Sequence, residues 1–274
     1  MDKVYIQTYS VRNEMEKDYV GSLKRIAEIG YAGVEFAGGY GGLSAGEMKK
    51  VLADLNLDCI CSHVGVDKAE GDIDYLAELG ARYIVCPMAH FTTHEEGKRL
   101  AEQLSAVGKK CKAAGLKYGY HNHTQEFANP EGKFLLETLM ENTDPDEVVF
   151  ELDVGWCTTA GVDAAQFIQK HAGRFELIHA KEAGKVTGVQ KPFDFSKVTF
   201  GPDGKPIFPP ELLAEMDERN RMNVPTGTGL IDWKQIYDVA TAQGAKAFIV
   251  EREWDYLNDI FACVKADYEY LAKV

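Results

Sequence analysis

The sequence predicts a protein of the α/β class with a single (β/α)8 TIM barrel that spans residues 1–274. Eight short apolar runs of strand character alternate with helical stretches along the 274 residues. Such an alternation implies parallel strands joined by right-handed helical crossovers, and eight is the number of strands that closes a barrel. No Gly/Ser linker or low-complexity tract divides the chain, so one domain is the simplest organisation. A doubly wound open sheet is the alternative architecture.

The elements follow one another in a regular order. The strand-like runs lie at residues 4–9, 33–37, 58–64, 83–87, 116–121, 148–154, 175–180 and 247–251. Apolar residues between two of these runs recur at helical spacing at Leu100, Leu104, Val107 and Cys111. Glycine ends several helices where the next strand begins, at Gly30, Gly80, Gly115 and Gly244. The sequence therefore predicts alternating strands and helices along the whole chain.

One connection is too long for this pattern. Residues 183–231, between the seventh strand and the helix near Asp232, contain six of the nine prolines. A connection of this length inside a compact domain is usually functional or disordered. Because it follows a barrel strand, we expect it to lie over the barrel mouth as a substrate lid. The alternative is that this segment is an arm that contacts another subunit. Whether the protein forms a homo-oligomer is left open by the sequence.

Composition and charge limit the class of function. The net charge of −13 and the pI near 5.0 disfavour a nucleic-acid partner. The chain shows no signal-peptide pattern at its start and no run near the ~18 apolar residues of a membrane span, so we expect a cytoplasmic protein with no membrane partner. The six cysteines form no CxxC pair and are expected to be buried and reduced. Cys59 and Cys61, two apart in one strand, should face the same side.

Acidic and basic side chains collect at the ends of the later strands. They are His121 and His123, Glu151 and Asp153, His179 and Lys181, and Glu251. The carboxyl ends of barrel strands meet at one mouth, and residues two apart on a strand share a face. Since scattered buried charges would be costly, we expect these groups to form one site.

The residue types at these strand ends suit a divalent metal ion. Carboxylates together with imidazoles make a mixed oxygen and nitrogen site, which fits Mn²⁺, Mg²⁺, Co²⁺ or Zn²⁺. Asp153, His179 and Glu251 are the expected ligands. The sequence therefore predicts one bound ion as the cofactor.

Several motifs together resemble a known family. They are Tyr31-Ala-Gly-Val-Glu-Phe-Ala-Gly, Tyr120-His-Asn-His, Leu152-Asp-Val-Gly-Trp, Ile178-His-Ala-Lys-Glu, Gly227-Thr-Gly-Leu-Ile-Asp-Trp and Val250-Glu. Their order and spacing resemble the sugar phosphate isomerase/epimerase superfamily of xylose isomerase-like barrels, which also includes endonuclease IV. That resemblance implies a fourfold metal site with Glu, Asp, His and Glu from strands five to eight.

The first of those four positions departs from the family pattern, because strand five offers His121 where many relatives have glutamate. We expect His121 as the fourth ligand, with Glu151 and His123 as the alternatives. His63 and Glu35, at the ends of strands three and two, are then expected on the substrate side. For each of these two, substrate contact and structural hydrogen bonding are both open.

The resemblance implies proton abstraction from a sugar carbon and an enediolate. Glu251, His123 or Glu151 could be the base, and Lys181 or His63 could polarise an oxygen. Isomerisation, epimerisation and inosose-type dehydration all begin this way, on a ketose, a polyol ketone or a keto-glycoside. Trp156 could stack on a sugar face. The rival functions are metal-dependent phosphodiester hydrolysis and a non-catalytic sugar-binding barrel.

Overall fold

The computed structural model describes residues 1, 3–191, 195–202, 204 and 206–274, and it shows a closed barrel of eight parallel strands. The barrel strands are β1 Val4–Gln7, β2 Gly33–Phe36, β3 Asp58–His63, β4 Tyr83–Cys86, β5 Lys117–His121, β6 Val148–Asp153, β7 Phe175–Ala180 and β10 Ala247–Val250. Each strand pairs with its neighbour in the chain, and β10 closes the ring by pairing with both β7 and β1. The predicted fold class and all eight predicted strands are confirmed.

Helices surround the barrel. They are α1 Arg12–Lys17, α2 Tyr19–Ile29, α3 Ala45–Asp54, α4 Ala69–Leu79, α5 His94–Ala113, α6 Leu135–Glu141, α7 Val154–Thr159, α8 Ala164–Lys170, α9 Pro210–Asn220, α10 Trp233–Ala242 and α11 Ile260–Leu271. Side-chain caps fix where several of them begin, as at Thr93, whose hydroxyl accepts the Glu96 amide of α5. Gly30 ends α2 with φ of 112°, a conformation that favours glycine. No helix in the described part of the chain is long and apolar enough to cross a membrane.

Two apolar layers hold the barrel together. The inner layer consists of strand residues alone, among them Tyr5, Val85, Val149 and Ile249. The outer layer packs the other face of each strand against the helices. Because side chains alternate along a strand, the residues that follow the inner layer, such as Glu251 two positions after Ile249, point into the mouth.

A bulge interrupts this alternation in β3. Val34 of β2 pairs with Cys59, but the next residue, Glu35, pairs with Cys61, so Ile60 is the extra residue. Cys59 therefore packs in the outer layer, whereas Cys61 lies in the inner one. The prediction that these two cysteines face the same side was wrong, although all six cysteines are buried free thiols, as expected.

The long connection after β7 carries structure of its own. It contains a 3-10 helix at Phe195–Lys197, a two-stranded antiparallel sheet of β8 Thr199–Phe200 and β9 Pro206–Ile207, and α9. Pro192, one of the six prolines counted in the sequence, lies outside the described residues.

The end of this connection is fixed by one buried carboxylate, Glu182. It accepts hydrogen bonds from the Gly227 amide at 2.8 Å, the Ile231 amide at 3.3 Å and the Trp233 indole N–H at 2.8 Å. The Ala183 amide donates as well, at 3.1 Å, so four donors satisfy a charge that would otherwise be costly to bury. These hydrogen bonds therefore hold the motif Gly227-Thr-Gly-Leu-Ile-Asp-Trp against the end of β7, at the point where α10 begins.

Candidate metal centre

The mouth of the barrel brings together His121, Asp153, His179 and Glu251. One donor atom from each of these four side chains lies within 4.8 Å of the others. The four residues come from the ends of β5, β6, β7 and β10, and their exposed fractions are 2%, 0%, 0% and 8%. We call this group the four-residue cage. It contains all four residues that the sequence predicted as ligands.

Two atoms of the cage have no hydrogen-bond partner among the described residues. They are Asp153 Oδ2 and His179 Nδ1, and both are buried. They lie 3.9 Å apart, and His179 Nδ1 lies 3.5 Å from Glu251 Oε2. A buried polar atom without a partner costs free energy, and a cation between these atoms would satisfy them. Carboxylate and imidazole donors in this number fit a divalent ion.

Hydrogen bonds behind the cage orient both of its imidazoles. His179 Nε2 lies 2.8 Å from Glu35 Oε1, and His121 Nδ1 lies 3.0 Å from Glu151 Oε2. If each ring donates an N–H to its carboxylate, His179 Nδ1 and His121 Nε2 keep a lone pair toward the centre of the cage. Carboxylate–histidine pairs of this kind are the usual support of a ligating histidine.

Glu35 lies beneath the cage. It is not among the described residues that line the cavity above the cage. It is fully buried, and its partners are Gln7, Cys61, His63 and His179. These are contacts within the protein, and a contact of Glu35 with substrate stays a prediction. Glu151 is placed in the same way, because its Oε2 meets His63 at 2.8 Å and His121 at 3.0 Å.

His63 connects these two buried carboxylates. Its Nε2 is 2.9 Å from Glu35 and 2.8 Å from Glu151. Burial alone would lower the pKa of His63, but the two carboxylates raise it to about 9. Burial and the Glu35 charge raise the pKa of Glu151 to about 7. His179 Nε2 also lies 2.8 Å from Glu35 and 3.2 Å from Glu151. Positive charge on the two imidazoles therefore favours the burial of these two carboxylates so close together.

Lys181 joins the carboxylates at the other side of the mouth. Its Nζ lies 2.8 Å from Glu251, 2.9 Å from Glu253 and 3.6 Å from Asp153. It also lies 4.5 Å from the centre of the Trp156 ring. Burial would lower the pKa of Lys181, but the three carboxylates raise it. Lys181 thus carries a positive charge beside the cage. It is not among the described residues that line the cavity above the cage.

A cavity of about 400 Å³ opens above the cage. Of the predicted site residues, His63, His121, His123, Trp156 and Glu251 line it. The long connection contributes Gln190, Met216, Arg219 and Asn220 to the same lining. The volume is in the range of small-molecule sites.

Two side chains at this cavity are suited to proton transfer or hydrogen bonding with a ligand. Burial and the Lys181 charge lower the pKa of His123 to about 3, so its imidazole is neutral at pH 7. Glu253, which the sequence analysis did not select, lines the cavity, and its buried Oε2 has no partner among the described residues. Burial and the neighbouring Glu251 raise the pKa of Glu253 against the effect of Lys181. The signal available in the sequence was its position two residues after Glu251, because residues two apart on a strand share a face.

Comparison with known proteins identifies relatives that share this fold, and several of these relatives are enzymes. A family model described as a xylose isomerase-like TIM barrel matches residues 23–273. An inosose dehydratase from Lacticaseibacillus casei is 26% identical over 167 residues, which cover 61% of this chain and 50% of that protein. The chain thus spans about half the length of the curated relative it matches.

Solved structures also align with nearly the whole chain. A sugar phosphate isomerase/epimerase from Parabacteroides distasonis ATCC 8503 matches with a TM-score of 0.78 and 24% identity, covering 100% of this chain and 99% of that one. A D-psicose 3-epimerase from Clostridium cellulolyticum H10 matches with a TM-score of 0.66 and 13% identity, covering 99% of each chain. At these identities the structural likeness shows the fold alone.

Proposed function

The chain belongs to the xylose isomerase-like TIM barrel family, and from this premise we propose that it is a divalent-metal-dependent sugar isomerase or epimerase. The proposed substrate is a ketose, polyol ketone or keto-glycoside. The observation that carries the proposal is the pair of buried cage atoms without a hydrogen bond among the described residues, Asp153 Oδ2 and His179 Nδ1, directly below a cavity lined by His123 and Glu253.

The cage residues would hold one ion through His121 Nε2, His179 Nδ1 and the carboxylates of Asp153 and Glu251. A bound divalent ion supplies a Lewis acid that polarises a carbonyl or hydroxyl oxygen. Glu35 and Glu151 hold the two imidazoles in place from behind. Asp153 is itself held, because its Oδ1 accepts the Trp156 amide at 2.7 Å.

The proton at the reacting carbon needs a base at the cavity wall. We assign this role to Glu253, which lines the cavity, whose buried Oε2 has no hydrogen bond among the described residues, and whose raised pKa makes it a better base than an ordinary glutamate. Lys181, at 2.9 Å, keeps Glu253 in position. Glu151, one of the bases considered from the sequence, lies beneath the cage and is instead assigned to orient His121.

A second group across the mouth would serve the opposite face of the sugar. β5 and β10 are separated by two strands on one side of the ring and by four on the other, so His123 and Glu253 extend from well-separated parts of the mouth. Neutral His123 is suited to donate a hydrogen bond to a substrate oxygen or to return a proton. Return to the neighbouring carbon gives isomerisation, and return to the opposite face gives epimerisation.

Dehydration is the second candidate, and the inosose dehydratase relatives favour it. It begins with the same proton abstraction but ends with the loss of a β-hydroxyl as water. The residues at the cavity serve both reactions, so the products must distinguish them.

The test is a screen of ketoses, inososes and 3-keto-glycosides with Mn²⁺ in deuterated water. We expect deuterium at one carbon of recovered substrate or product, and its loss in Glu253→Gln while the metal content stays unchanged. A product lacking one water would select the dehydratase. Turnover without deuterium incorporation, combined with a requirement for NAD, would contradict proton abstraction and overturn the proposal.

A further inference from the structure

A second cavity of about 190 Å³ adjoins the one above the cage. The two cavities share four lining residues: Met88, His123, Gln125 and Gln190. His123, which we place at the reacting end of the substrate, therefore borders both cavities. A ligand seated above the cage can extend past His123 into the second space.

The wall of the second cavity is mostly apolar. Its remaining apolar contacts come from Ala89, Phe91, Ala128, Leu135 and Val189. The buried charge among its lining residues is already paired, because Glu126 accepts the Tyr120 hydroxyl at 2.7 Å and the His123 amide at 2.8 Å. Such a wall favours an uncharged apolar group.

The long connection forms part of the wall of the second cavity. Val189 and Gln190 line it, and the Gln190 amide donates to the Thr124 hydroxyl at 3.1 Å. This bond attaches the connection to the residues that follow β5. The same segment therefore borders both cavities.

The size of the space limits what can occupy it. An apolar cavity of about 150 Å³ holds a benzene molecule, so about 190 Å³ is enough for one ring. We propose that the second cavity is a subsite for an apolar pendant group of about one ring, carried by the sugar or polyol substrate. This inference rests on the proposed function, and it narrows the substrate class to keto-sugars with an apolar substituent.

The experiment compares methyl and phenyl 3-keto-β-D-glucopyranoside as probes with the Mn²⁺-loaded protein. Calorimetry gives the dissociation constant of each, and we expect the phenyl compound to bind about tenfold tighter. Ala128→Phe should fill the second cavity and remove this advantage without changing affinity for the methyl compound. Ala245→Phe, at the opposite end of the barrel, is the matched control. Ala89→Leu replaces Ala128→Phe if that variant does not fold.

Phenol alone, followed by saturation-transfer NMR, tests the subsite even if neither sugar binds. Equal affinities for the two probes, or a phenyl advantage and a phenol signal that survive both cavity-filling changes, would overturn the subsite. A phenyl advantage that Ala128→Phe removes would support it. The same result together with NAD-requiring turnover and no deuterium exchange would support the subsite while contradicting the proposed function.

Discussion

At the scale of single residues, buried carboxylates have two different positions around the cage. Asp153 and Glu251 point into it, whereas Glu35 and Glu151 contact the far sides of its histidines. The sequence predicted that all of these groups meet at one mouth, but it could not separate the two sets. The partner of Glu35, His179, lies 144 residues away in the chain, so their contact depends on the closed ring.

Glu35→Gln tests the supporting role of Glu35. The amide keeps the shape of the side chain but removes the charge that increases the basicity of His179. We expect metal affinity to fall about 10–100-fold, measured by competition with a fluorescent chelator. Glu126→Gln is the control, since Glu126 is also buried and hydrogen bonded but touches neither cage histidine. Unchanged affinity in Glu35→Gln, or an equal loss in both variants, would contradict this role.

At the scale of elements, the strand ends were predictable and the details of strand alternation were not. The period of two correctly placed Asp153, His179 and Glu251 on inward-facing positions. In β3, the bulge at Ile60 reverses the face of Cys59, because one extra residue breaks the period. The same bulge brings the Cys61 thiol against Glu35, a contact that no sequence pattern indicated.

The start of α6 gives a pH-dependent prediction. Glu137 accepts hydrogen bonds from Lys170 and from the Phe134 amide. Burial would raise the pKa of Glu137, but these two contacts lower it. A lowered pKa means that the ionised carboxylate stabilises the fold above the unfolded value of about 4.3. This stabilisation is lost as the pH falls through the lower, folded pKa.

Glu137→Gln should therefore reduce the free energy of unfolding by about 1 kcal/mol at pH 7. The difference from wild type should shrink below about pH 4, where the carboxylate is protonated. Urea titrations followed by circular dichroism at several pH values measure it. Glu141→Gln, an exposed glutamate on the same helix with a Lys133 ion pair, is expected to change stability by less than about 0.5 kcal/mol. A Glu137 effect independent of pH would show that charge is not the cause.

The long connection gives a second prediction at this scale. We expect it to act as a lid, since Met216, Arg219 and Asn220 line the cavity above the cage. Replacing residues 195–220 with a short Gly-Ser loop should lower kcat at least about tenfold by admitting water. The thermal midpoint of unfolding should change little, because α9 buries little of its surface: among its described residues, Leu212 is the buried one. If the variant loses its fold or oligomeric state without a separate kinetic defect, the segment is structural.

At the scale of the whole molecule, the barrel gathers distant residues at one mouth. Closure was predictable, because eight strand-like runs and the glycines between them appear in the sequence in order. The cavities were not, since their walls combine loops after several strands with the long connection. Glu253 shows this difference. Its spacing from Glu251 was visible in the sequence, but its place at the cavity and its buried oxygen without a hydrogen bond among the described residues depend on the fold.

The central claim is that the cage of His121, Asp153, His179 and Glu251 holds one divalent ion. The most direct measurement is metal content by mass spectrometry after loading with Mn²⁺ and removal of free ion. Asp153→Asn is the matched change, because the amide oxygen can still cap α7 as Asp153 Oδ1 does. Asp163→Asn is the control, since Asp163 caps α8 in the same way outside the cage. We expect about one ion per chain in wild type and Asp163→Asn, and almost none in Asp153→Asn. Full metal content in Asp153→Asn would contradict the account.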